Sequence, residues 1–260
     1  MPVYNKAPFL KEALDSIFAQ TFTDFEIIAV DDKSTDESLQ VLRSIEDPRL
    51  KVVELERNVG HPGATQTAFE QSQGEYIIRC DADDLSHPER FAKQVAFMDA
   101  HPEIGMSGGA LQLFGDSDGV WKFPLDNDAC QAQVLFTTPV PDGASIIRRS
   151  VLVRNHIGFK NTWPRVAADW LFMLDMADVS RFGNIPEIVL YYRRGEQNIS
   201  AMGPSMEARR EVAHLALGGQ HRTDVIFDVF RRFHGLPEQT QTAGQDRQNA
   251  HLFRHSASCN

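Results

Sequence analysis

The stretch Ile77-Ile78-Arg79-Cys80-Asp81-Ala82-Asp83-Asp84 reads as a short buried strand running out into a knot of carboxylates. Ser86 and Glu89 follow at capping-box spacing with Pro88 between them, so a helix is expected to start there. Carboxylates crowded on one turn repel one another and call for a cation. Oxygen-only ligation suits Mg2+ or Mn2+, ions commonly held by one or two carboxylates together with substrate phosphates. An Asp-x-Asp by itself is more often an acidic turn capping a helix, so the reading needs support from the rest of the chain.

Working outward, the same grammar repeats upstream. Met1-Pro2-Val3-Tyr4-Asn5 reads as short and loop-like, followed by a helical pattern with Leu10, Leu14, Ile17 and Phe18 on one face. A strand from Phe25 to Val30 ends in Asp31-Asp32, and Ser34-Thr35-Asp36-Glu37 reads as a capping box for the next helix. Leu50 to Leu55 is a further strand, and the loop Asn58-Val59-Gly60-His61-Pro62-Gly63 leads into a helix through Phe69. Strands alternating with helices at short intervals are the signature of a mostly parallel sheet covered on both faces, an α/β fold. The right-handed crossover rule then puts Asp31/Asp32 and Asp81–Asp84 on the same, carboxyl edge of the sheet, where ligands bind. Two acidic clusters on one edge favour a nucleotide-type cleft.

Downstream the pattern loosens. Gly105 to Phe114 reads as a strand with Gly108-Gly109 as a bulge or close backbone approach. A helix over Asp128 to Phe136, a strand over Ala144 to Arg148 and a short helix from Ser150 to Asn155 follow. An amphipathic helix then carries Asp169 in its first turn, and Ile188 to Arg193 is the last strand. Residues 201–236 read as a helical appendage and 237–260, rich in Gln, Ser and His, as a disordered tail.

At 260 residues the chain suits one large core with a small appendage. Its net charge of −10 comes from the first 200 residues, where 30 Asp/Glu outnumber 19 Lys/Arg. That acidity argues against non-specific nucleic-acid or anionic-membrane binding, yet allows a phosphate ligand if a divalent ion inverts the local field. Three cysteines without metal or disulfide spacing, no transmembrane segment and no basic leader give the expectation of a cytoplasmic protein, or one peripheral at the inner face of the membrane. The nine histidines show no ligand spacing and read as surface or core residues.

Taken in order, these motifs resemble family 2 glycosyltransferases of the inverting GT-A type over roughly residues 1–200. The resemblance rests on Pro2-Val3-Tyr4-Asn5, Gln20-Thr21-Phe22-Thr23-Asp24-Phe25-Glu26, Val30-Asp31-Asp32-Lys33-Ser34-Thr35-Asp36, Asn58-Val59-Gly60, Gly74-Glu75-Tyr76-Ile77, and Asp81-Ala82-Asp83-Asp84 with Pro88 and Arg90 behind it. It implies transfer of a sugar from a nucleotide-diphosphate donor, UDP-type favoured, to a glycan or lipid-linked acceptor, with Mg2+ or Mn2+ as cofactor. By the same resemblance Pro2 and Tyr4 line the base and ribose, Asp32 accepts from the nucleobase, and Asn58, Asp81 and Ala82 belong to the donor site. Asp83 matches the metal contact and Asp169 the catalytic base, while Asp84 reinforces a helix N-terminus. Trp170 reads as a core aromatic rather than a sugar platform.

The sequence also departs from the family pattern. The chain begins inside the first motif, so a truncated first strand is expected. Ala64-Thr65-Gln66 stands where the family usually has Ala-Arg-Asn, leaving a donor-side cation to be supplied elsewhere, with Arg79 the candidate and a solvated strand residue its alternative. Gly195 stands where His is usual, which shifts any phosphate contact there to Arg193 or Arg194. A catalytically degenerate nucleotide-sugar binder and a sugar-phosphate nucleotidyltransferase are the alternatives. The second would need a Gly-rich phosphate loop after the first strand, which Asn5-Lys6-Ala7-Pro8 does not provide.

Overall fold

The computed structural model describes residues 1–160 and 168–195. The appendage expected over 201–236 and the tail over 237–260 lie outside the described residues, as does 196–200 of the segment that ends in Ser200. Two sheets organise the rest. Strands β1 (Pro2–Val3), β2 (Ile27–Asp31) and β3 (Leu50–Glu54) form a parallel sheet in that order, with Pro2 opposite Val30 and Ile27 opposite Leu50. Pro2 and Val3 are therefore strand residues, where the sequence reads as loop; Met1 and Val3 carbonyls accept from Val30 and Asp32 N–H groups and extend the ladder.

The second sheet runs β4 (Tyr76–Ile78), β8 (Ile146–Arg148), β6 (Ile104–Gly115), β9 (Arg181–Arg194) and β5 (Leu85–Ser86), with β7 (Gly119–Trp121) paired to β6. The long β6/β9 pair is parallel and the others antiparallel, so most paired residues in the molecule stand in parallel register. The register of β6/β9 shifts between Gly108 and Ala110, as expected of the Gly-Gly pair. A Cβ on Gly108 would lie 2.7 Å from Pro141, and one on Gly109 2.7 Å from Val189, so both glycines admit close packing.

Helices close the core. Helix α1 (Ala7–Phe18) buries Leu10, Ala13, Leu14 and Ile17, one helical stripe, against Val3, Ile27 and Ala29. Each such Leu or Ile contributes about 1.5–3 kcal/mol of burial, and Leu14→Ala would cost roughly 2–5 kcal/mol. Helices α2 (Ser38–Arg43), α3 (Gly60–Gln71), α4 (Arg90–Ala100), α5 (Asn127–Val134), α6 (Arg149–Asn155) and α7 (Ala168–Ala177) follow in the expected order. Helix α7 buries Trp170, Leu171, Phe172, Met173 and Met176, and Trp170 Nε1 donates to the Val134 carbonyl at 2.6 Å, so Trp170 is the core residue expected of it. Cys80 and Cys130 are buried free thiols, and among the described residues no helix is long and apolar enough to cross a membrane.

Both expected capping boxes are absent, and both hydroxyls accept from other donors. Ser34 Oγ accepts from Asn5 N at 3.1 Å, and helix α2 begins at Ser38, whose N–H is held by Asp36 Oδ1 at 2.9 Å. Ser86 lies in β5, where its Oγ accepts from Arg90 Nη1 at 3.2 Å; Glu89 precedes α4 without a side-chain cap. Asp84 likewise does not serve a helix start, because β5 intervenes; its Oδ1 accepts from the Arg193 N–H at 2.8 Å.

Candidate active site

The N-terminus of α3 is the meeting point. Asp32, at the end of β2, accepts from the N–H groups of Val59 (Oδ1, 2.6 Å) and Gly60 (Oδ2, 2.8 Å), and Asn58 Nδ2 donates to the Asp32 carbonyl at 3.0 Å. A carboxylate facing the unpaired N–H groups of a helix start satisfies them and opposes the helix dipole. Gly60 takes φ +80°, which lets the chain turn there from loop to helix. One residue on, His61 Nε2 lies 3.6 Å from Asp81 Oδ1, an ion-pair distance too long for a hydrogen bond. Asp32 and Asp81, from separate strands, are thus linked through three consecutive residues.

A second link joins the same two loops on their other side. Lys6 N donates to Ser38 Oγ at 2.8 Å, beyond the Asp31-Asp32 strand end, while Lys6 Nζ donates to Asp83 Oδ2 at 2.5 Å. Asn5 bridges the same gap by accepting from Thr35 N at 2.8 Å. Both acidic strand ends are therefore tied together, but not by the crossover expected: Asp31-Asp32 closes β2 of the first sheet and Asp81–Asp84 follows β4 of the second, where β4 pairs antiparallel with β8.

Arg79 supplies the buried cation. It is 3% exposed; Nη1 donates to Thr65 Oγ1 at 2.7 Å and Nη2 to Asp142 Oδ2 at 2.6 Å, with Asp81 Oδ1 at 4.0 Å. The guanidinium sits on the residue that replaces the family's usual arginine in α3, so of the two readings of Arg79 the solvated one is wrong. Asp142 belongs to a 3-10 turn, Asp142–Ala144, and its neighbour Gly143 leaves room for Asp81: a Cβ there would collide with the Asp81 carboxylate. Nothing in the sequence around Asp142 singled it out, since its partners lie far away in the chain. The same holds for His61, which reads as unremarkable until α3 brings it to Asp81.

The electrostatics tie Asp169 to this group. Asp169 is in the first turn of α7, with Oδ1 accepting from Trp170 N at 2.9 Å. Burial and the negative charge of Asp142 push its carboxyl up to about 6, against the lowering influence of the Trp170 N–H, His61 and Arg79. For Asp81 burial opposes ionisation, but His61, Arg79 and Lys6 outweigh it and hold the carboxyl well below the usual range. Burial and the charges of Asp81 and Asp83 push Asp84 up to about 8. Carboxylates with opposed shifts in one cleft divide into permanent charge and proton acceptor.

The remaining expected site residues vary in what surrounds them. Pro2 and Ala82 are buried, and Tyr4 is 45% exposed. Arg193 is committed within the chain: Nε donates to the Asp83 carbonyl at 2.9 Å, Nη2 to Glu12 Oε2 at 2.7 Å, and its guanidinium lies between Phe9 and Phe114. It clasps the acidic loop to the end of β9. Arg194 stacks over Trp121 at 5.5 Å.

The donor set around Asp81–Asp84 is oxygen-only, and Asp81 Oδ1 and Asp84 Oδ2 are buried without a hydrogen-bond partner. That chemistry fits a hard divalent cation. Among the described residues, however, no three His, Cys, Asp or Glu side chains are gathered as a metal site.

Known proteins of one family resemble this chain in sequence and fold. The family model described as glycosyl transferase family 2 matches residues 1–155. The poly(ribitol-phosphate) β-N-acetylglucosaminyltransferase TarS of Staphylococcus aureus is 38% identical over 251 residues, 89% of this chain and 43% of TarS. An uncharacterized glycosyltransferase of Haemophilus influenzae is 29% identical over 76% of this chain and 65% of its own length. The chain thus spans under two thirds of either relative. Among solved structures, S. aureus TarS residues 1–349 in complex with UDP-GlcNAc superimposes with TM-score 0.70 and 25% identity, over 83% of this chain and 63% of that one. The mannosyltransferase PcManGT of Pyrobaculum calidifontis, solved with GDP-Man and Mn2+, shares the fold at TM-score 0.59 and 21% identity, over 89% and 78% of the two chains. With its GT-A type α/β fold and these matches, the chain belongs to glycosyl transferase family 2.

Proposed function

We propose that this protein transfers a sugar from a UDP-type nucleotide donor to a hydroxyl of a glycan or lipid-linked acceptor, with inversion, as a hexosyltransferase-type enzyme. The observation that carries the proposal is the link between Asp32 and Asp81 through the start of α3, where the Val59 and Gly60 N–H groups hold Asp32 and His61 Nε2 lies 3.6 Å from Asp81 Oδ1. Asp81, held ionised, and Asp169, able to accept a proton, both respond to His61 and Arg79.

In this reading Pro2, Tyr4, Asp32 and Asn58 form the base and ribose side, and Asp81 and Ala82 the sugar side. Asp169 takes the proton from the acceptor hydroxyl as its oxygen attacks the anomeric carbon. The bond from that carbon to the diphosphate breaks in the same step, and the nucleoside diphosphate leaves on the opposite face. A carboxyl near 6 is ionised at neutral pH yet basic enough to accept that proton. Asp83 is the residue that would hold Mg2+ or Mn2+, which when bound stabilises the charge developing on the diphosphate. Asp142 and Arg79 position Asp81 and set the field at Asp169. The TarS likeness supports the donor class, since that relative was solved with UDP-GlcNAc.

The test is a panel of nucleotide sugars screened for thermal stabilisation with and without Mn2+, followed by transfer assays on Asp169→Asn. A UDP-sugar should stabilise the protein most, and Asp169→Asn should keep that stabilisation while losing transfer. No stabilisation by any nucleotide sugar would overturn the proposal. Stabilisation without turnover in the unmodified protein would favour the alternative of an inactive nucleotide-sugar binder.

A further inference from the structure

Lys6 is the residue of the site that the proposed reaction leaves unused. Its Nζ lies 2.5 Å from Asp83 Oδ2, with side chains 21% and 13% exposed, a pair more sheltered than a surface salt bridge. Both partners are fixed from behind. The Lys6 N–H is held by Ser38 Oγ at 2.8 Å at the threshold of α1, and the Asp83 carbonyl accepts from Arg193 Nε at 2.9 Å. Asp81 Oδ1 and Asp84 Oδ2, buried in the same loop, have no hydrogen-bond donor.

We propose that Lys6 is a resident counter-ion for Asp83, which keeps this carboxylate from taking a divalent cation until a diphosphate arrives. The inference rests on the donor-site reading above. An ammonium group and a divalent ion on one carboxylate repel each other, so a cation binding Asp83 must displace Lys6 or bind against its charge. With no third side-chain ligand gathered among the described residues, these alone offer a cation little to set against displacing Lys6. A bound diphosphate changes both sides of the exchange: it supplies the missing oxygens for the cation and a new anion for the ammonium. Cation and nucleotide binding are then mutually dependent, and each raises the affinity for the other equally.

The test is titration with Mn2+ alone, followed by the loss of the free-ion electron paramagnetic resonance signal, on the unmodified protein, Lys6→Met, Lys6→Gln, Asp83→Asn and Lys6→Met with Asp83→Asn. Thermal unfolding verifies that each variant is folded, and Lys6→Gln serves if Lys6→Met is not. Without nucleotide, Lys6→Met and Lys6→Gln should bind Mn2+ roughly tenfold more tightly than the unmodified protein, and the gain should vanish in the double variant. Unchanged or weaker Mn2+ binding on removal of Lys6 overturns the inference. If Asp83→Asn still lowers Mn2+ uptake in UDP-saturated protein, the donor-site reading survives that result. If Asp83→Asn leaves uptake with UDP unchanged, the donor-site reading fails and the role of Lys6 fails with it.

Discussion

Arg79 Nη2 donates to Asp142 Oδ2 at 2.6 Å, joining the strand before the acidic loop to a turn more than sixty residues away. Arg79 is buried and Asp142 largely sheltered, at 14% exposed, and Nη1 of the same guanidinium holds Thr65 on α3. Burial alone would lower the Arg79 pKa, but Asp142 and then Asp81 overcome it, so the group stays charged. Breaking a buried pair leaves one uncompensated charge. Arg79→Met should therefore cost about 3–5 kcal/mol in urea unfolding, far more than a surface substitution. A loss below about 1 kcal/mol would show that the pair is not buried in solution.

The pH dependence of transfer follows from Asp169. Its carboxyl must be ionised to accept a proton, so kcat/KM should fall as pH drops through about 6. After burial, the charge of Asp142 is the largest influence raising it. Asp142→Asn should thus move the acidic limb to lower pH while leaving Asp169 in place. A limb that stays put, or moves up, would remove Asp142 from the electrostatics of the site.

The same carboxyl leaves a mark on stability. A carboxyl raised from about 3.9 to about 6 on folding favours the folded state below pH 4, and that contribution is lost as pH rises through about 6. Asp169→Asn removes the dependence. It should equal the unmodified protein near pH 4, relative to its own baseline, and gain on the order of 2 kcal/mol by pH 8. Parallel stability curves across that window would contradict the assignment.

Arg90 gives a test of the scaffold alone. It is fully buried, donating to the Arg79 carbonyl at 2.6 Å, the Gly143 carbonyl at 3.3 Å, Gln94 Oε1 at 3.1 Å and Ser86 Oγ at 3.2 Å. Its planar fork matches acceptors spread over three segments, which a lysine cannot reach together. Arg90→Lys should therefore destabilise by about 2 kcal/mol or more, nearly as much as Arg90→Ala, when both are measured by denaturant unfolding. Full rescue by lysine would show that charge alone matters.

Much of this was legible before the coordinates. Local periodicity placed α1, and the alternation of strands and helices brought out both acidic strand ends, although these belong to two sheets and not to crossovers within one. What failed were rules applied to short stretches. Ser34 and Ser86 looked like helix caps, but the Asn5 N–H, from far along the chain, and the Arg90 side chain, four residues on, claim their hydroxyls. Asp142 and His61 were invisible because their roles exist only once β4, α3 and the 3-10 turn meet. Arg79 could be flagged only as a substitute for a missing cation; its contact with Thr65 identifies the position it serves.

In the proposed donor site one nucleotide bridges Asp32 and Asp83. Calorimetric titration of UDP with Mn2+ present, on the unmodified protein, Asp32→Ala and Asp83→Asn, measures this directly. Both substitutions should weaken binding by roughly tenfold or more, and omitting Mn2+ should weaken the unmodified protein and Asp32→Ala but leave Asp83→Asn unchanged. UDP affinity that is indifferent to Asp83 in the presence of Mn2+ would contradict it.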